Sequence, residues 1–207
     1  MPENLHKLFV ISSPSGGGKT SLINKLFEDS RSTNFEKSIS DTSRQKRQGD
    51  LEGKDYYFLS EKDFKDKINK EEYVEYATVF GNFYGTSKEE IKTKYNNSNL
   101  ILELDWQGAY AVKELFDDAK LIFLVPPSLD DLKQRLIKRN LDSSKAIESR
   151  LSEAKKEISK SEMYDYLVLN DDFDKAFEDL SQILFEGISP IDFNSRASKD
   201  LIKRLVE

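Results

Sequence analysis

The chain has 207 residues, 37% of them hydrophobic and 34% charged, and this length favours one globular domain with inserted lobes over two independent cores. Lys and Arg number 32 against 38 Asp and Glu, and the resulting net charge of −6 argues against a nucleic-acid binder that relies on bulk positive charge. With no cysteine and one histidine, His6, the sequence excludes a disulfide scaffold, a zinc finger, a cysteine nucleophile and a multi-histidine metal site.

The amino-terminal residues MPENLHK are too polar for a signal peptide, and the longest apolar runs are far shorter than a membrane span. We therefore expect a cytoplasmic protein with no membrane or nucleic-acid partner. Any anionic ligand must be bound by a local cluster of positive groups, because the chain as a whole is acidic.

Four short apolar runs predict strands that are buried on both faces, and segments of helical periodicity lie between and after them. This alternation predicts parallel βαβ units, that is, an α/β fold with a parallel central sheet flanked by helices. The predicted strands are Leu8 to Ile11, Leu100 to Leu104, Leu121 to Val125 and Tyr166 to Leu169, and the predicted helices are Thr20 to Phe27, Trp106 to Phe116, Leu129 to Lys138, about Ser144 to Met163, and Phe173 to Phe185.

A glycine-rich loop follows the first predicted strand and precedes an amphipathic helix. Glycines let successive backbone N–H groups point into one hollow, and the start of a helix adds partial positive charge, so the loop suits phosphates. Lys19 would reach the terminal phosphates, and the Thr20 hydroxyl would ligand Mg²⁺. The strict pattern G-x-x-x-x-G-K-[ST] has glycine where this chain has Ser13, and a glycine-rich turn without a ligand is the alternative. The predicted ATP-binding residues of the loop are Ser13, Pro14, Ser15, Gly16, Gly17, Gly18, Lys19 and Thr20.

The stretch from about Phe35 to Tyr95 departs from the alternation of strands and helices. Its short polar and aromatic runs with interspersed glycines predict a small, β-rich lobe inserted between the first helix and the second core strand. Within it, Ser87 and Glu90 form a predicted capping box, in which the hydroxyl and the acid satisfy free backbone donors at the start of a helix. Ser128 and Asp131 predict a second capping box.

The same lobe carries a second predicted phosphate site. Arg44 and Arg47 bring guanidinium forks, which bind phosphate oxygens two at a time, and Tyr56 adds a phenol donor. Taken alone, such a basic run is more often a solvated surface. Beside a nucleotide loop it indicates an acceptor phosphate, because two phosphate sites in one small α/β protein suggest a donor and an acceptor.

Glu103 and Asp105 end the second core strand two residues apart, so their side chains point to the same side. A carboxylate there suits the orientation of Mg²⁺-bound water or of an acceptor nucleotide, although a strand-end acid is usually just solvated. We assign Asp105 to the site, with a contact to Mg²⁺ through water left open.

Several motifs together resemble the guanylate kinase family, over about Leu5 to Phe185. The family signature T-[ST]-R, a basic residue, an acid, a glycine and Y-x-[FY] is matched by Thr42, Ser43, Arg44, Arg47, Asp50, Gly53, Tyr56 and Phe58. The segments Glu72 to Ala77, Gly81 to Thr86 and Asp105 to Gly108 resemble further family motifs in the correct order.

The resemblance implies an acceptor pocket for GMP. Positions matching Glu75 and Thr86 read guanine, since a carboxylate accepts from N1–H and the 2-amino group and a hydroxyl donates to O6. Adenine lacks both donors, and a site built on polar partners rejects such a ligand by about 10⁴ to 10⁵. The implied GMP-binding residues are Ser40, Arg44, Arg47, Tyr56, Glu75, Tyr84, Thr86, Asp105 and Gly108.

The resemblance also implies a lid that follows the third core strand and its helix. Arg139 and Arg150 bracket a predicted flap and match the lid arginines, and Arg135 lies one helical turn before it. Arg135 is equally consistent with surface charge. Asn170 matches a position near the ATP base or ribose, with a strand-end turn former as an even alternative. We thus expect Lys19, Arg44, Arg139 and Arg150 to be catalytic, and Arg135 and Asn170 to bind ATP.

The expected fold is a P-loop kinase fold in one domain, residues 1–207, with a parallel central sheet flanked by helices, an inserted small β-rich GMP-binding lobe and a helical lid. Its core covers about 5–34, 96–138 and 164–187, its GMP-binding lobe about 35–95 and its lid about 139–163, before a helical tail at 188–207. The sequence leaves open whether this tail is a docking helix or a subunit contact, and whether the chain is a homo-oligomer.

The implied activity is transfer of the γ-phosphoryl group of ATP to GMP with Mg²⁺ and no tightly bound organic cofactor. One alternative is a catalytically inactive guanylate-kinase-like module that binds peptides, although such modules generally lack the phosphate loop that Lys19 and Thr20 complete here. Another is a kinase for a different acceptor such as a sugar phosphate, which Glu75 and Thr86 disfavour.

Overall fold

The computed structural model describes residues 6–138, 144–192 and 195–207. Strands are β1 Leu8–Ser12, β2 Phe35–Lys37, β3 Asp41–Thr42, β4 Tyr57–Phe58, β5 Tyr73–Val79, β6 Asn82–Ser87, β7 Asn99–Glu103, β8 Lys120–Val125 and β9 Tyr166–Leu169. Helices are α1 Lys19–Glu28, α2 Glu61–Asn69, α3 Lys88–Tyr95, α4 Trp106–Leu115, α5 Leu129–Lys138, α6 Ser144–Ser159, α7 Phe173–Ser181 and α8 Arg196–Val206.

The strands form a five-stranded sheet in the order β2-β7-β1-β8-β9 and a four-stranded sheet in the order β4-β3-β6-β5. In the larger sheet β2 pairs with β7 and β8 with β9, both in parallel. The four apolar runs predicted as strands are all found, because each has consecutive buried apolar residues that cover both faces of the strand. The predicted α/β fold with a parallel central sheet is confirmed.

The chain divides into two compact units. One unit contains the chain up to Val10 together with Asn34–Ala119, and the other contains Ile11–Thr33 and the chain from Lys120 onward. The first unit holds the four-stranded sheet, with Phe64 stacked on the rings of Tyr73 and Phe83. In the second unit the core is formed by the buried faces of α1, α5, α6, α7 and strand β8.

The stretch predicted as a β-rich lobe contains the four-stranded sheet, but its first residues lie outside that sheet. Phe35 to Lys37 pair with Asn99 to Ile101 of β7 and so belong to the five-stranded sheet. The lobe therefore begins after Lys37. The sequence FEK has no apolar run, so its pairing depends on a partner strand distant in the chain rather than on local pattern.

Two helix starts have the predicted serine caps. Ser87 Oγ accepts from Glu90 N at 3.1 Å, and Ser128 Oγ accepts from Asp131 N at 3.0 Å. The capping box at Ser87 is nevertheless only half as predicted, since Glu90 Oε1 accepts from the N–H of Ile39. Among the described residues no helix is both long and apolar enough to cross a membrane.

Candidate active site

The phosphate loop lies in the second unit, between β1 and α1. Its turn is closed by Gly17 N–H, which donates to Pro14 O at 2.8 Å. Gly16 and Gly18 have φ values of +90° and +93°, a region of backbone conformation that residues other than glycine rarely adopt. Helix α1 then begins at Lys19 with no acidic residue in its first turn, so the positive end of the helix is left for an anion.

Ser13, which replaces the first glycine of the strict pattern, is accommodated by Gly17. A Cβ atom at residue 17 would lie 2.8 Å from Ser13 Cβ, a clash that glycine avoids. Ser13 is itself buried, and its Oγ donates to Pro14 O at 3.1 Å. The loop therefore keeps its turn despite the departure from the pattern.

Asn170 connects the end of β9 to the phosphate loop. Its Nδ2 donates to Gly17 O at 2.6 Å, and the side chain is only 4% exposed. The backbone carbonyl oxygen of Asn170 accepts from Arg135 Nη2 at 2.7 Å. Gly18 is required at this contact as well as for its φ, because a Cβ there would clash with Asn170 Nδ2. The Asn170 side chain thus contacts the loop backbone, a role that the sequence did not indicate.

A cavity of about 350 Å³ lies beside the phosphate loop in the same unit. Phe173 is 41% exposed there and offers a ring against which a base could stack. The lining residues are Gly16, Gly18, Ser21, Arg135, Lys138, Asn170, Asp171 and Phe173. Arg135 and Asn170, two predicted ATP-binding residues, are thereby brought together with the loop.

Arg150 on α6 also reaches the loop, since its Nη1 donates to Ser15 Oγ at 3.1 Å. This contact places one predicted lid arginine next to the residues predicted to hold the phosphates. Arg139, the other predicted lid arginine, lies outside the described residues, as do residues 140–143 of the predicted flap. Its predicted role stays a prediction.

Lys19 and Thr20 open helix α1, where the sequence placed a phosphate contact and a Mg²⁺ ligand. Thr20 is an exposed residue at the start of this helix. In the described part of the chain no cluster of three or more acidic or histidine side chains is arranged to hold a metal. The Thr20 hydroxyl is an oxygen donor, which suits Mg²⁺, an ion that usually has few protein ligands and binds mainly to substrate phosphates and water.

The first unit holds the residues of the predicted acceptor site, beginning with Arg44. Its Nη1 lies 2.9 Å from Asp50 Oδ2, and its guanidinium lies over the ring of Tyr56 at 5.4 Å. The hydrogen bond from Arg44 lowers the pKa of Asp50, which keeps that carboxylate ionised. Asp50 thus positions Arg44; the sequence signature contained this acid, but its role was not assigned.

Tyr56 and Tyr84 adjoin Arg44 and pack edge to face, with ring centroids 5.7 Å apart. Burial raises the pKa of Tyr56 to about 12, and the negative charge of Glu103 adds to the effect, so the phenol stays protonated as a donor. Arg47 differs from this cluster: it is exposed, and its backbone N–H donates to Asp50 at 2.7 Å.

Glu75 and Thr86 form the second half of the acceptor site, as neighbours across the β5–β6 pairing. Glu75 is 7% exposed and Thr86 is fully buried. Ser40 Oγ lies 3.3 Å from Thr86 Oγ1. Gly108 on α4 makes room for the carboxylate, since a Cβ there would lie 2.9 Å from Glu75 Oε2.

The Glu75 carboxyl is the most perturbed acid of this site. Burial raises its pKa to about 7; the neighbouring Thr86 hydroxyl opposes the rise, and the charge of Asp105 adds to it. No hydrogen bond of standard geometry reaches Oε1 from any residue that the structure describes. An acceptor atom this deeply buried without a donor is costly, so Oε1 is a candidate acceptor for a ligand N–H group.

Glu103 and Asp105, the strand-end acids, have different surroundings. Glu103 Oε2 lies 2.6 Å from Lys37 Nζ of β2, so this carboxylate has a cationic partner. Asp105 is the N-cap of α4, and its Oδ1 accepts from Gly108 N at 2.9 Å. Its predicted roles toward GMP and Mg²⁺ stay predictions, while its capping of α4 also orients Gly108 beneath Glu75.

The sequence matches the family model described as "Guanylate kinase" over residues 5–187. The chain belongs to the guanylate kinase family. It is 46% identical over 184 residues to a guanylate kinase of Wolbachia sp. subsp. Brugia malayi, covering 88% of this chain and 93% of that protein. It is 47% identical over 178 residues to a guanylate kinase of Hahella chejuensis, covering 86% and 85% respectively.

A crystal structure of a guanylate kinase from Anaplasma phagocytophilum matches with a TM-score of 0.73 and 32% identity, covering 99% of this chain and 98% of that one. The resemblance drawn from the motifs is therefore confirmed. As a member of the guanylate kinase family, the chain is a phosphotransferase, and these relatives support the enzyme over the inactive binding module. The cytoplasmic location expected from the polar amino terminus stays a prediction.

Proposed function

We propose that the chain transfers the γ-phosphoryl group of ATP to GMP, forming ADP and GDP. The observation that carries this proposal is the buried Glu75 carboxylate, whose Oε1 has no donor within the described residues and which lies next to Thr86. Guanine offers two adjacent N–H donors to a carboxylate and a carbonyl oxygen to a hydroxyl. Adenine offers neither donor, so the proposed acceptor is GMP rather than AMP.

The phosphate of GMP would bind where Arg44, Tyr56 and Tyr84 meet. Arg44 is held by Asp50 at 2.9 Å, so little side-chain entropy is lost when its remaining N–H groups bind a phosphate. The Tyr56 phenol stays protonated and can donate to the same anion. Ser40 would add a hydroxyl from the start of the lobe.

The donor ATP would bind through its phosphates to the N–H groups of the phosphate loop, with Lys19 at the terminal phosphates. Mg²⁺ bound with ATP would be held by phosphate oxygens and the Thr20 hydroxyl, and it would neutralise charge on the transferring group. Arg150 would stabilise negative charge at the loop, a role supported by its hydrogen bond to Ser15. The adenosine moiety would use the cavity lined by Arg135, Asn170 and Phe173.

The reaction needs charge neutralisation and exclusion of water more than covalent chemistry by the protein. Each of the residues assigned here provides a positive charge, a hydrogen-bond donor or the carboxylate that selects guanine. A sugar-phosphate acceptor would leave Glu75 without donors, which makes it the weaker candidate.

The test is ADP release from ATP and Mg²⁺ with GMP, AMP, CMP, UMP or no acceptor in parallel. We expect turnover with GMP and at most background release with the other acceptors. Equal rates with AMP and GMP would contradict the role of Glu75 and Thr86. Binding of GMP without any turnover would instead support the inactive binding module.

A further inference from the structure

Two segments of the first unit connect the four-stranded sheet to the five-stranded sheet in the described part of the chain. Residues 38–40, which we call the entry link, lead from β2 to β3. Helix α3 leads back from β6 to β7. Ser40, predicted to contact the acceptor phosphate, is the last residue of the entry link.

Every residue from Lys37 to Ser40 has a backbone hydrogen bond to another element. Ser38 N donates to Ile101 O at 2.9 Å, and Ser40 O accepts from Tyr57 N at 3.0 Å, so these two residues extend the two sheets. The other two residues bond to helix α3. The Ile39 N–H donates to Glu90 Oε1 at 2.8 Å, and Lys37 O accepts from Lys94 Nζ at 2.7 Å. The backbones of Ser38 and Ser40 thus bond to strands, and those of Lys37 and Ile39 bond to side chains of α3.

Glu90 and Lys94 also pair with each other, with Oε1 and Nζ 2.6 Å apart one helical turn along α3. Their side chains are only 12% and 19% exposed, in contrast to the exposed neighbours Glu89 and Lys92. Partial burial makes hydrogen bonds to charged groups stronger than those at an open surface. The pair thus joins the two chain segments that connect the sheets.

We propose that Glu90 and Lys94 are positioning residues for the acceptor: they fix the backbone of the entry link so that Ser40 is already placed for the phosphate of GMP. This inference rests on the proposed function of the Ser40 site. The same pair orients Lys37, whose ammonium group contacts Glu103 beside Tyr56. Because Lys37 and Ser40 are already restrained, GMP binding loses less conformational entropy in this segment.

The test compares four variants by GMP titration calorimetry, steady-state kinetics and amide hydrogen exchange. Glu90→Ala removes both contacts of the carboxylate, while Glu90→Gln keeps an acceptor for Ile39 N–H and loses the charge. Lys94→Met removes the bond to Lys37 O and keeps the aliphatic stem. Glu89→Ala is the matched control, since it removes an equally placed acid from the first turn of α3 but an exposed one.

We expect Glu90→Ala to raise the GMP Kd about tenfold, the effect of losing a charged hydrogen bond, with kcat changed less than about twofold. The Ile39 amide exchanges faster in that variant. Glu90→Gln rescues most of the affinity, Lys94→Met loses about threefold, and Glu89→Ala matches the wild type. An ATP analogue binds all four with unchanged Kd.

Equal GMP Kd values for Glu90→Ala and Glu89→Ala would overturn the positioning role while leaving the proposed function intact. A fall in kcat with an unchanged GMP Kd would overturn it as well. If Glu90→Ala does not fold by circular dichroism, Lys94→Met decides the question: an unchanged GMP Kd in that variant would overturn the positioning role. Failure of the wild type to bind GMP at all would overturn the proposed function itself, a separate result.

Discussion

At the scale of single residues, Glu75 combines a stability cost with a proposed role in binding GMP. Its carboxyl pKa is raised from 4.5 to about 7 by burial, so the folded state holds a proton that the unfolded state releases between these pH values. The free energy of unfolding therefore falls as pH rises through this window. Above pH 7 the buried charge costs up to about 3 kcal/mol, which a bound guanine would offset by supplying donors.

The variant Glu75→Gln should then be more stable than the wild type at pH 8 and equal to it near pH 4.5. Its kcat/KM for GMP should fall about 100-fold, because a charged acceptor is lost and an amide N–H₂ faces the donors of guanine. Thermal unfolding across pH 4.5 to 8 and kinetics at pH 8 measure the two effects. The exposed Glu89→Gln is the control, and a pH-independent difference in Tm from wild type would contradict the assigned pKa.

In the second unit, Asn170 supports the phosphate loop, because its Nδ2 donates to Gly17 O at 2.6 Å. Asn170→Ala should raise the Kd of an ATP analogue about tenfold, since the loop loses a buried hydrogen bond and its carbonyl loses a donor. The Kd of GMP should stay unchanged. Asn97→Ala serves as the control, because Asn97 makes the same type of bond to Thr93 O at the exposed end of α3. Unchanged ATP binding in Asn170→Ala would show that the loop keeps its conformation without this bond.

At the scale of elements, the local sequence pattern predicted those strands and helices whose buried residues recur regularly along the element. The runs around Leu121 to Val125 and the helix at Leu129–Lys138 were predicted because apolar residues recur with the period of the element. Strand β2 was missed, since Phe35 to Lys37 acquires its role only by pairing with β7. The contact of Glu90 with Ile39 joins residues 51 positions apart, so the local capping pattern could not reveal it.

The same limit applies to the candidate site. Motifs predicted Arg44, Glu75 and Thr86 as site residues, and the structure brings them into one unit. The residues that hold them in place, such as Asp50 for Arg44, could be assigned only from three-dimensional contacts. Side chains that position others leave a weak pattern in a single sequence, because their partners are set by the fold.

Helix α8 supports another helix of the second unit, α6. It follows the part of the chain that the family model covers and packs against α6, the helix that bears Arg150. Leu205→Ala should lower the free energy of unfolding by about 2 to 3 kcal/mol, since Leu205 is 2% exposed and its removal leaves a cavity. Amide exchange along α6 should become faster in this variant, and turnover should fall. Lys203→Ala on the exposed face of α8 should leave all three quantities unchanged, and a lower Tm with unaltered exchange in α6 would contradict support of α6 by α8.

At the scale of the whole molecule, the predicted donor and acceptor residues belong to different compact units. Lys19 and the phosphate loop lie in one unit, and Arg44 and Glu75 lie in the other. Substitutions that are far apart and share no partners usually act independently. Binding of the two nucleotides can therefore be separated by mutation.

Lys19→Ala tests this separation, because it removes the point charge predicted at the terminal phosphates of ATP without altering the acceptor residues. Turnover should fall at least about 10³-fold, as expected for loss of a group that stabilises transferring charge, while the GMP Kd stays within about twofold of the wild type. Single-turnover kinetics and GMP titration measure the two quantities. Lys25→Ala, which removes an exposed lysine from the same helix α1, is the matched control. A parallel loss of GMP affinity and of the circular dichroism signal would show that Lys19 supports the fold, whereas retained turnover would remove it from the donor site.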